Sequence, residues 1–245
     1  MKKRYLIEFS YDGSAFSGYQ IQPNAPTVQE SIEEKLSLIY GSKIEIVGSS
    51  RTDAGVHAKQ QFAHFDLEKE MEGDWLYRLN KLLPSSLAVH SIKEVKEDFH
   101  ARFDAISRKY EYHIVSEKNP FLFKYAYWFG LNLDFTKMNE AANLLLKYED
   151  FECFSKVHTD VFTFNCTIKQ AYWEIRSPSH FVFHIESNRF LRGMVRAIVG
   201  TLLEIGQNRM SLEDFIKIIE SKDRSNAGRA VPGHGLFLTE VNYKL

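Results

Sequence analysis

Cysteine is scarce in this sequence, and long apolar runs are missing from it. Among 245 residues there are two cysteines, Cys153 and Cys166, and they are not paired in a CxxC motif. Two cysteines cannot form a disulfide framework, and their scarcity favours a reducing compartment. The apolar stretch near the start is broken by Glu8, too early for a signal peptide. Since no run approaches the ~20 apolar residues of a spanning helix, we expect a cytoplasmic protein without membrane contact.

The sequence also lacks the short motifs that hold nucleotide phosphates, catalytic metals or a serine nucleophile. It contains no GxxxxGKS, GxxxxGKT or GxGxxG, and neither HExxH nor GxSxG. His57 and His64 could be grouped with Asp53 and Asp66 as metal ligands, but their spacing fits no common metal motif. We therefore expect neither a metal nor a nucleotide cofactor.

Charge of one sign is not in excess. The 31 lysines and arginines balance 32 acidic residues, for a formal net charge of −1. This balance excludes a protein covered with positive charge for binding nucleic acid. A site for a polyanion must therefore be local, and residues 188–203 are the candidate because they contain three arginines and no acid.

Composition and periodicity predict an ordinary globular protein of the α+β class. Apolar residues make up 44% of the chain and charged residues 26%, and the length corresponds to between one and two domains. Predicted strands lie at 4–11, 43–49, 60–66, 87–97, 108–115, 168–177, 181–187 and 235–243. Predicted helices lie at 27–40, 75–83, 138–148 and 189–205, with another beginning at Ser211. The mixed order, without regular βαβ alternation, favours antiparallel sheets.

The polar loop at residues 51–58 concentrates reactive side chains between two predicted strands. Arg51 lies two positions before Asp53, and Gly55 and His57 follow that carboxylate by two and four positions. A nearby guanidinium favours the ionised carboxylate, which is the form that a nucleophile needs. A tight turn is the alternative, with Asp53 capping backbone amides and Gly55 at a positive φ. The residues alone leave both interpretations open.

The predicted helix at 189–205 would carry a basic ridge. Arg189, Arg192 and Arg196 recur at i, i+3 and i+7, which places them on one face of a helix. A solvated face normally mixes both signs of charge, whereas no acid occurs here before Glu204. The ridge is therefore a candidate contact for a polyanion, and an ordinary solvated face is the alternative.

The run Arg-Thr-Asp-Ala-Gly-Val-His-Ala at 51–58 resembles the signature of the tRNA pseudouridine synthases of the TruA type. Similar blocks lie at 11–20, 27–29, 99–103, 107–112, 190–196, 198–200 and 235–238, so the resemblance covers nearly the whole chain. It implies two related halves, each a mostly antiparallel sheet flanked by helices, around a central catalytic cleft. The first half, 1–105, would carry the Asp53 loop, and the second half, 106–245, the arginine helix.

The resemblance also implies an activity and roles for individual residues. Enzymes of this family isomerise uridines 38, 39 and 40 in the anticodon arm of tRNA, without metal or cofactor and typically as homodimers. Carried over to this chain, Asp53 is the nucleophile, Arg196 pairs with it, and Tyr110 packs on the target uracil with a possible part in proton transfer. Further contacts to the substrate would come from Arg51, His57, Arg189 and Arg192.

Three residues depart from the family pattern, and one rival function stays open. Tyr19 stands where the family usually has tryptophan, and Ser49 and Ser50 replace a small residue followed by glycine. The rival is an RNA-binding protein that keeps the fold and has lost turnover. It would be favoured if Asp53, Tyr110 or Arg196 were missing, and all three are present.

Overall fold

The computed structural model describes residues 2–71, 73–157 and 162–244. The elements of these residues follow one another as β1 (Lys3–Tyr11), α1 (Val28–Tyr40), β2 (Val47–Gly48), β3 (His57–Leu67), α2 (Trp75–Leu82), β4 (Leu87–Val95), β5 (Ala105–Val115), β6 (Tyr127–Trp128), α3 (Phe135–Leu144), β7 (Ile168–Ser177), β8 (His180–Ser187), α4 (Met194–Gly206), α5 (Leu212–Ser221) and β9 (Leu236–Tyr243). Every helix of the described residues is too short or too polar to cross a membrane.

The chain divides into two compact units. Unit 1 comprises Met1–Ile106 together with Leu238–Leu245, and unit 2 comprises Ser107–Phe237. The end of the chain thus returns to the first unit. The expected division into 1–105 and 106–245 instead places these last residues in the second half. Tyr243 shows the physical reason, because its ring packs edge-on against Phe62 at 5.3 Å and its hydroxyl donates to the Ala101 carbonyl at 2.6 Å.

Unit 1 is built on antiparallel pairing around β1. This strand lies between β3 and β4, and Ile7 stands opposite both Ala63 and Ile92. The alternation of apolar residues buries Ile7 and Phe9 completely. Helix α1 begins at the predicted cap, where the Thr27 side chain accepts from the Glu30 amide, and it packs on α2.

Unit 2 repeats this mixture of helices on an antiparallel sheet. Strand β8 pairs antiparallel with β5 and β7, while the short β6 runs parallel to β5. Helix α3 packs on β7 and α4, and nearly all of α4 is buried. The predicted α+β class with mostly antiparallel sheets is therefore confirmed.

Several predicted boundaries were wrong. The strand expected at 43–49 is reduced to Val47–Gly48, and the helix expected from 138 begins at Phe135. Helix α4 begins at Met194, because Gly193 adopts a left-handed conformation with φ of 73°. Arg189 and Arg192 therefore precede the helix, and the predicted ridge of three arginines on one helical face does not form.

Candidate active site

The candidate catalytic loop connects β2 to β3 in unit 1. Asp53 is half-buried, while Arg51 beside it is exposed. The Val56 amide donates to the Asp53 carbonyl at 3.2 Å, and Gly55 has a φ of 76°, so the segment is a tight turn. The positive φ that the turn interpretation predicted at Gly55 is confirmed. A turn of this kind can carry a catalytic carboxylate, and it can equally place a carboxylate where it caps backbone amides. The geometry is therefore compatible with both the catalytic and the capping interpretation of Asp53.

Thr52 fixes the chain immediately before Asp53. Its hydroxyl shares a hydrogen bond of 2.8 Å with the Tyr11 hydroxyl, and its carbonyl accepts from the Tyr19 amide at 3.1 Å. The side chain is 8% exposed, so both bonds lie away from bulk solvent. Buried hydrogen bonds of this kind hold the loop in one position relative to β1.

Two glycines of the 11–20 block let the loop approach the chain more closely than any side chain would allow. A Cβ atom at Gly13 would lie 2.0 Å from the Val56 carbonyl oxygen. At Gly18, where φ is 109°, it would lie 3.0 Å from the Thr52 oxygen and 3.4 Å from the carbonyl carbon of Asp53. Residues 12–19 therefore pack directly on the backbone that carries Asp53.

His57, an expected substrate contact, is enclosed by the protein. Its side chain is 2% exposed, and Nδ1 accepts from the Gly13 amide at 3.0 Å with the Asp12 carboxylate 3.2 Å away. A ring enclosed in this way offers almost no surface to RNA, which argues against the substrate contact expected at His57. The sequence contained no sign of the burial, because histidine is intermediate between the buried and the exposed residue types.

Gln61 is a residue of the site region that the sequence reasoning missed. It is completely buried, accepts a short hydrogen bond from the Ser49 hydroxyl and donates through Nε2 to the Ser50 carbonyl at 3.1 Å. The Ser49–Ser50 pair that departs from the family pattern is thus held by a buried amide. The sequence did contain one indication of this burial. Gln61 precedes Ala63 and Phe65 at intervals of two residues on β3, so the alternation of the strand places all three on its buried face.

In unit 2, Tyr110 lies on β5 and Arg196 lies in the first turn of α4. The Tyr110 side chain is 7% exposed, and its ring packs edge-on against Phe190 with centroids 5.0 Å apart. Arg196 donates through Nε to the Val231 carbonyl at 2.7 Å, and the Val231 amide returns a bond of 3.1 Å to the Arg196 carbonyl. The guanidinium carries further donors on its two Nη nitrogens.

The segment after α5 connects these two elements. Tyr112, two positions along β5 from Tyr110, donates its hydroxyl to the Pro232 carbonyl at 2.8 Å. Pro232 adjoins Val231, the partner of Arg196, so β5 and the start of α4 are attached to one short stretch of chain. This attachment fixes where Tyr110 and Arg196 stand within unit 2.

One known protein family matches most of this chain. A family model described as tRNA pseudouridine synthase matches residues 8–104 and 141–244. The chain belongs to the tRNA pseudouridine synthase family. The predicted resemblance is thereby confirmed.

Relatives cover almost the full length on both sides. A protein of Parabacteroides distasonis is 50% identical over 98% of this chain and 96% of its own length. One of Porphyromonas gingivalis is 48% identical over 98% and 97%, and one of Bacillus subtilis is 41% identical over 98% and 99%. All three are named tRNA pseudouridine synthase A.

The matched segments of the tRNA pseudouridine synthase model include Asp53 and Arg196, whereas Tyr110 lies between the two segments.

The other two arginines of the segment before α4 differ in exposure. Arg192 is exposed, Arg189 is half-buried, and the Arg192 carbonyl accepts from the Lys156 amide at 2.9 Å. Among the described residues, no group of three or more His, Cys, Asp or Glu side chains is arranged to hold a metal ion.

Proposed function

We propose that this chain isomerises uridine to pseudouridine at positions 38, 39 and 40 in the anticodon stem and loop of tRNA. The observation that carries the proposal is the loop of Asp53, which belongs to a chain of the tRNA pseudouridine synthase family and is fixed by buried contacts on both sides. A carboxylate carried by a backbone held this rigidly, at the first residue of a turn, suits a reaction at one particular atom of a large substrate.

The reaction sets three chemical requirements. The bond between C1′ and N1 must break, the uracil must turn, and C1′ must then join C5, which loses its proton. Asp53 meets the first requirement either by adding to C1′ or by removing a proton from C2′. In both cases its negative charge stabilises the positive charge that develops on the sugar, as in glycosidases. The nucleotide must also leave the base stack before it can react.

Arg196 and Tyr110 are proposed to complete the site. A guanidinium beside Asp53 would keep the carboxylate ionised and oriented, and the anchoring of Arg196 Nε on Val231 supports a fixed guanidinium. An aromatic ring holds a detached base by stacking on its face, and Tyr110 would take this role. Its hydroxyl would also relay the C5 proton, receiving it as the phenol passes its own proton to a neighbouring acceptor or water.

RNA contacts are proposed for the cationic side chains near these elements. Arg51 and Arg192 are exposed and can reach phosphate oxygens, and Arg189 is half-buried. Local cations of this kind would explain how a protein with a net charge of −1 binds a polyanion.

We propose further that the protein acts as a cytoplasmic homodimer, as the family resemblance implies, and that it needs neither metal nor cofactor.

The test is incubation of the purified protein with a tRNA transcript labelled in uridine, in the presence of EDTA, followed by nucleoside analysis and mapping of the modified positions. We expect pseudouridine at 38, 39 or 40, and a dimer by sedimentation. Binding of tRNA without any pseudouridine would instead support the rival function, an RNA-binding protein without turnover.

The matched variant is Asp53→Asn. The amide keeps the size of the side chain and removes its charge, so we expect no conversion with tRNA binding retained. Conversion within tenfold of the wild-type rate would show that Asp53 is not the nucleophile.

A further inference from the structure

His57 lies buried behind the Asp53 loop, where it contacts the turn that follows β1 rather than the solvent. We propose that His57 is a positioning residue of the reaction: by binding the Gly13 amide it holds residues 12–19 against the loop and so keeps the Asp53 carboxylate aimed at the sugar. The inference rests on the proposed function, in which Asp53 reacts. It gives His57, in the second half of the 51–58 motif, a role in the reaction.

The first step is the bond itself. The Gly13 amide donates to Nδ1 of His57 at 3.0 Å, and an oxygen of the Asp12 carboxylate lies 3.2 Å from the same nitrogen. Gly13 opens a short 3-10 turn that Asp12 caps, and Asp12 Oδ1 accepts from the Ser14 amide at 2.9 Å. The ring therefore binds the first backbone amide of this turn, and His57 begins β3 directly after the loop that carries Asp53.

The second step is the contact between the turn and the loop. The closest approach is at Gly13, against the Val56 carbonyl, next to His57 in the chain. Farther along the turn, Gly18 faces the backbone of Thr52 and Asp53, and the Tyr19 amide binds the Thr52 carbonyl. A shift of the turn at Gly13 is consequently transmitted to both ends of the Asp53 turn.

The third step is the sensitivity of catalysis to such a shift. A displacement of about 1 Å at a reacting group can lower the rate by about 100-fold. Direct participation of His57 in the chemistry is disfavoured because the side chain is 2% exposed and its Nδ1 is occupied by Gly13. Its effect must then pass through the backbone of the loop.

The test compares His57→Leu with His57→Asn. Leucine removes the acceptor, whereas the Oδ1 of asparagine lies close to the place of Nδ1 and can accept from Gly13 again. We expect kcat to fall by about 100-fold in His57→Leu, with the Kd for tRNA within a factor of three, and to recover to within about tenfold of wild type in His57→Asn. Amide exchange at Val56, which bonds to the Asp53 carbonyl, should quicken in His57→Leu only.

A pair of glycine variants separates positioning from stability. Gly13→Ala places a Cβ against the Val56 carbonyl, while Gly41→Ala strains a left-handed helix end at φ of 84° that has no atom within 4 Å of the new Cβ. Both variants should lower Tm, but only Gly13→Ala should lower kcat. Equal loss of Tm with unchanged kcat in the folded fraction of Gly13→Ala and His57→Leu would overturn the inference.

The outcomes also distinguish this inference from the proposed function. If wild-type protein makes pseudouridine and Asp53→Asn does not, the function stands, and a fully active His57→Leu refutes the positioning role alone. If wild-type protein makes none, the function fails. The exchange rate at Val56 then still tests whether His57 orders the loop.

Discussion

At the scale of single residues, Tyr19 has a hydroxyl that is buried without a hydrogen-bond partner among the described residues. The side chain is 3% exposed, its burial raises the pKa of the phenol well above its usual value, and the hydroxyl abuts Gly48. An unsatisfied buried hydroxyl costs about 1–3 kcal/mol. The position is the one where the family usually has tryptophan.

We therefore predict that Tyr19→Phe stabilises the protein by about 1 kcal/mol. The ring keeps its stacking on Phe9, and only the unsatisfied oxygen is removed. Urea unfolding monitored by tryptophan fluorescence measures the change. The matched control is Tyr112→Phe, which deletes the bond to the Pro232 carbonyl and should destabilise. Destabilisation of both variants to the same degree would contradict the prediction.

A second prediction at this scale concerns Tyr110. Stacking needs a ring and is worth about 1–3 kcal/mol per base, whereas proton transfer at C5 needs the hydroxyl. We expect Tyr110→Ala to be inactive and Tyr110→Phe to be severely slowed, because both proposed roles fall to this side chain. Single-turnover rates of pseudouridine formation give the comparison. A phenylalanine variant with wild-type turnover would eliminate the proton-transfer role, and an active alanine variant would eliminate both.

At the scale of elements, the late start of α4 changes the role of its arginines. Gly193, at φ of 73°, separates Arg192 from the helix, so this arginine is presented by the preceding segment while Arg196 is held within the first turn. Arg196 is anchored to Val231, whereas the side chain of Arg192 is exposed. We therefore propose Arg192, rather than Arg196, as the phosphate contact of this segment.

This assignment predicts the salt dependence of tRNA binding. Loss of one phosphate contact makes the slope of log K against log salt shallower by roughly 0.7–0.9, and we expect this change for Arg192→Ala. Arg209→Ala is the control, since Arg209 is 61% exposed and pairs with Glu204 at 3.8 Å on the far end of α4. Filter binding at several salt concentrations measures both slopes. Equal slopes for wild type and Arg192→Ala would remove Arg192 from the RNA contact.

At the scale of the whole molecule, stability depends on a histidine that is buried in its neutral form. His64 accepts from the Ala101 amide at 3.1 Å, and burial together with Arg4 and His100 lowers its pKa to about 4. The unfolded chain binds the proton near pH 6.5 and the folded chain only near pH 4. Stability is therefore complete above pH 6.5 and is lost as the pH falls towards 4.

We predict a fall in the urea midpoint between pH 7 and pH 4.5 that His64→Asn reduces. Asparagine can still accept from the Ala101 amide but does not titrate, so the variant should be less pH-dependent than wild type. His180 and His234, whose pKa values are also lowered by burial, keep part of the slope. His90→Asn, at an exposed position, serves as control and should follow wild type. An unaltered slope in His64→Asn would refute the prediction.

Local patterns in the sequence were sufficient for the fold class, the family and the candidate nucleophile. Alternation in β1 and the helical spacing of Val28, Ile32 and Leu36 report burial directly, because each is a property of consecutive residues. The eight-residue motif around Asp53 is likewise contiguous, which is why one sequence is enough to recognise it.

Only the tertiary structure decided which side chains are buried in the loop and which elements hold it. The burial of His57, the bond from Tyr11 to Thr52 and the return of Tyr243 to unit 1 join residues that are far apart in the chain. The start of α4 at Met194 also depended on context, since Gly193 could have continued the helix at a modest cost. Such contacts form because packing fills space across the fold, and no periodicity of neighbouring residues encodes them.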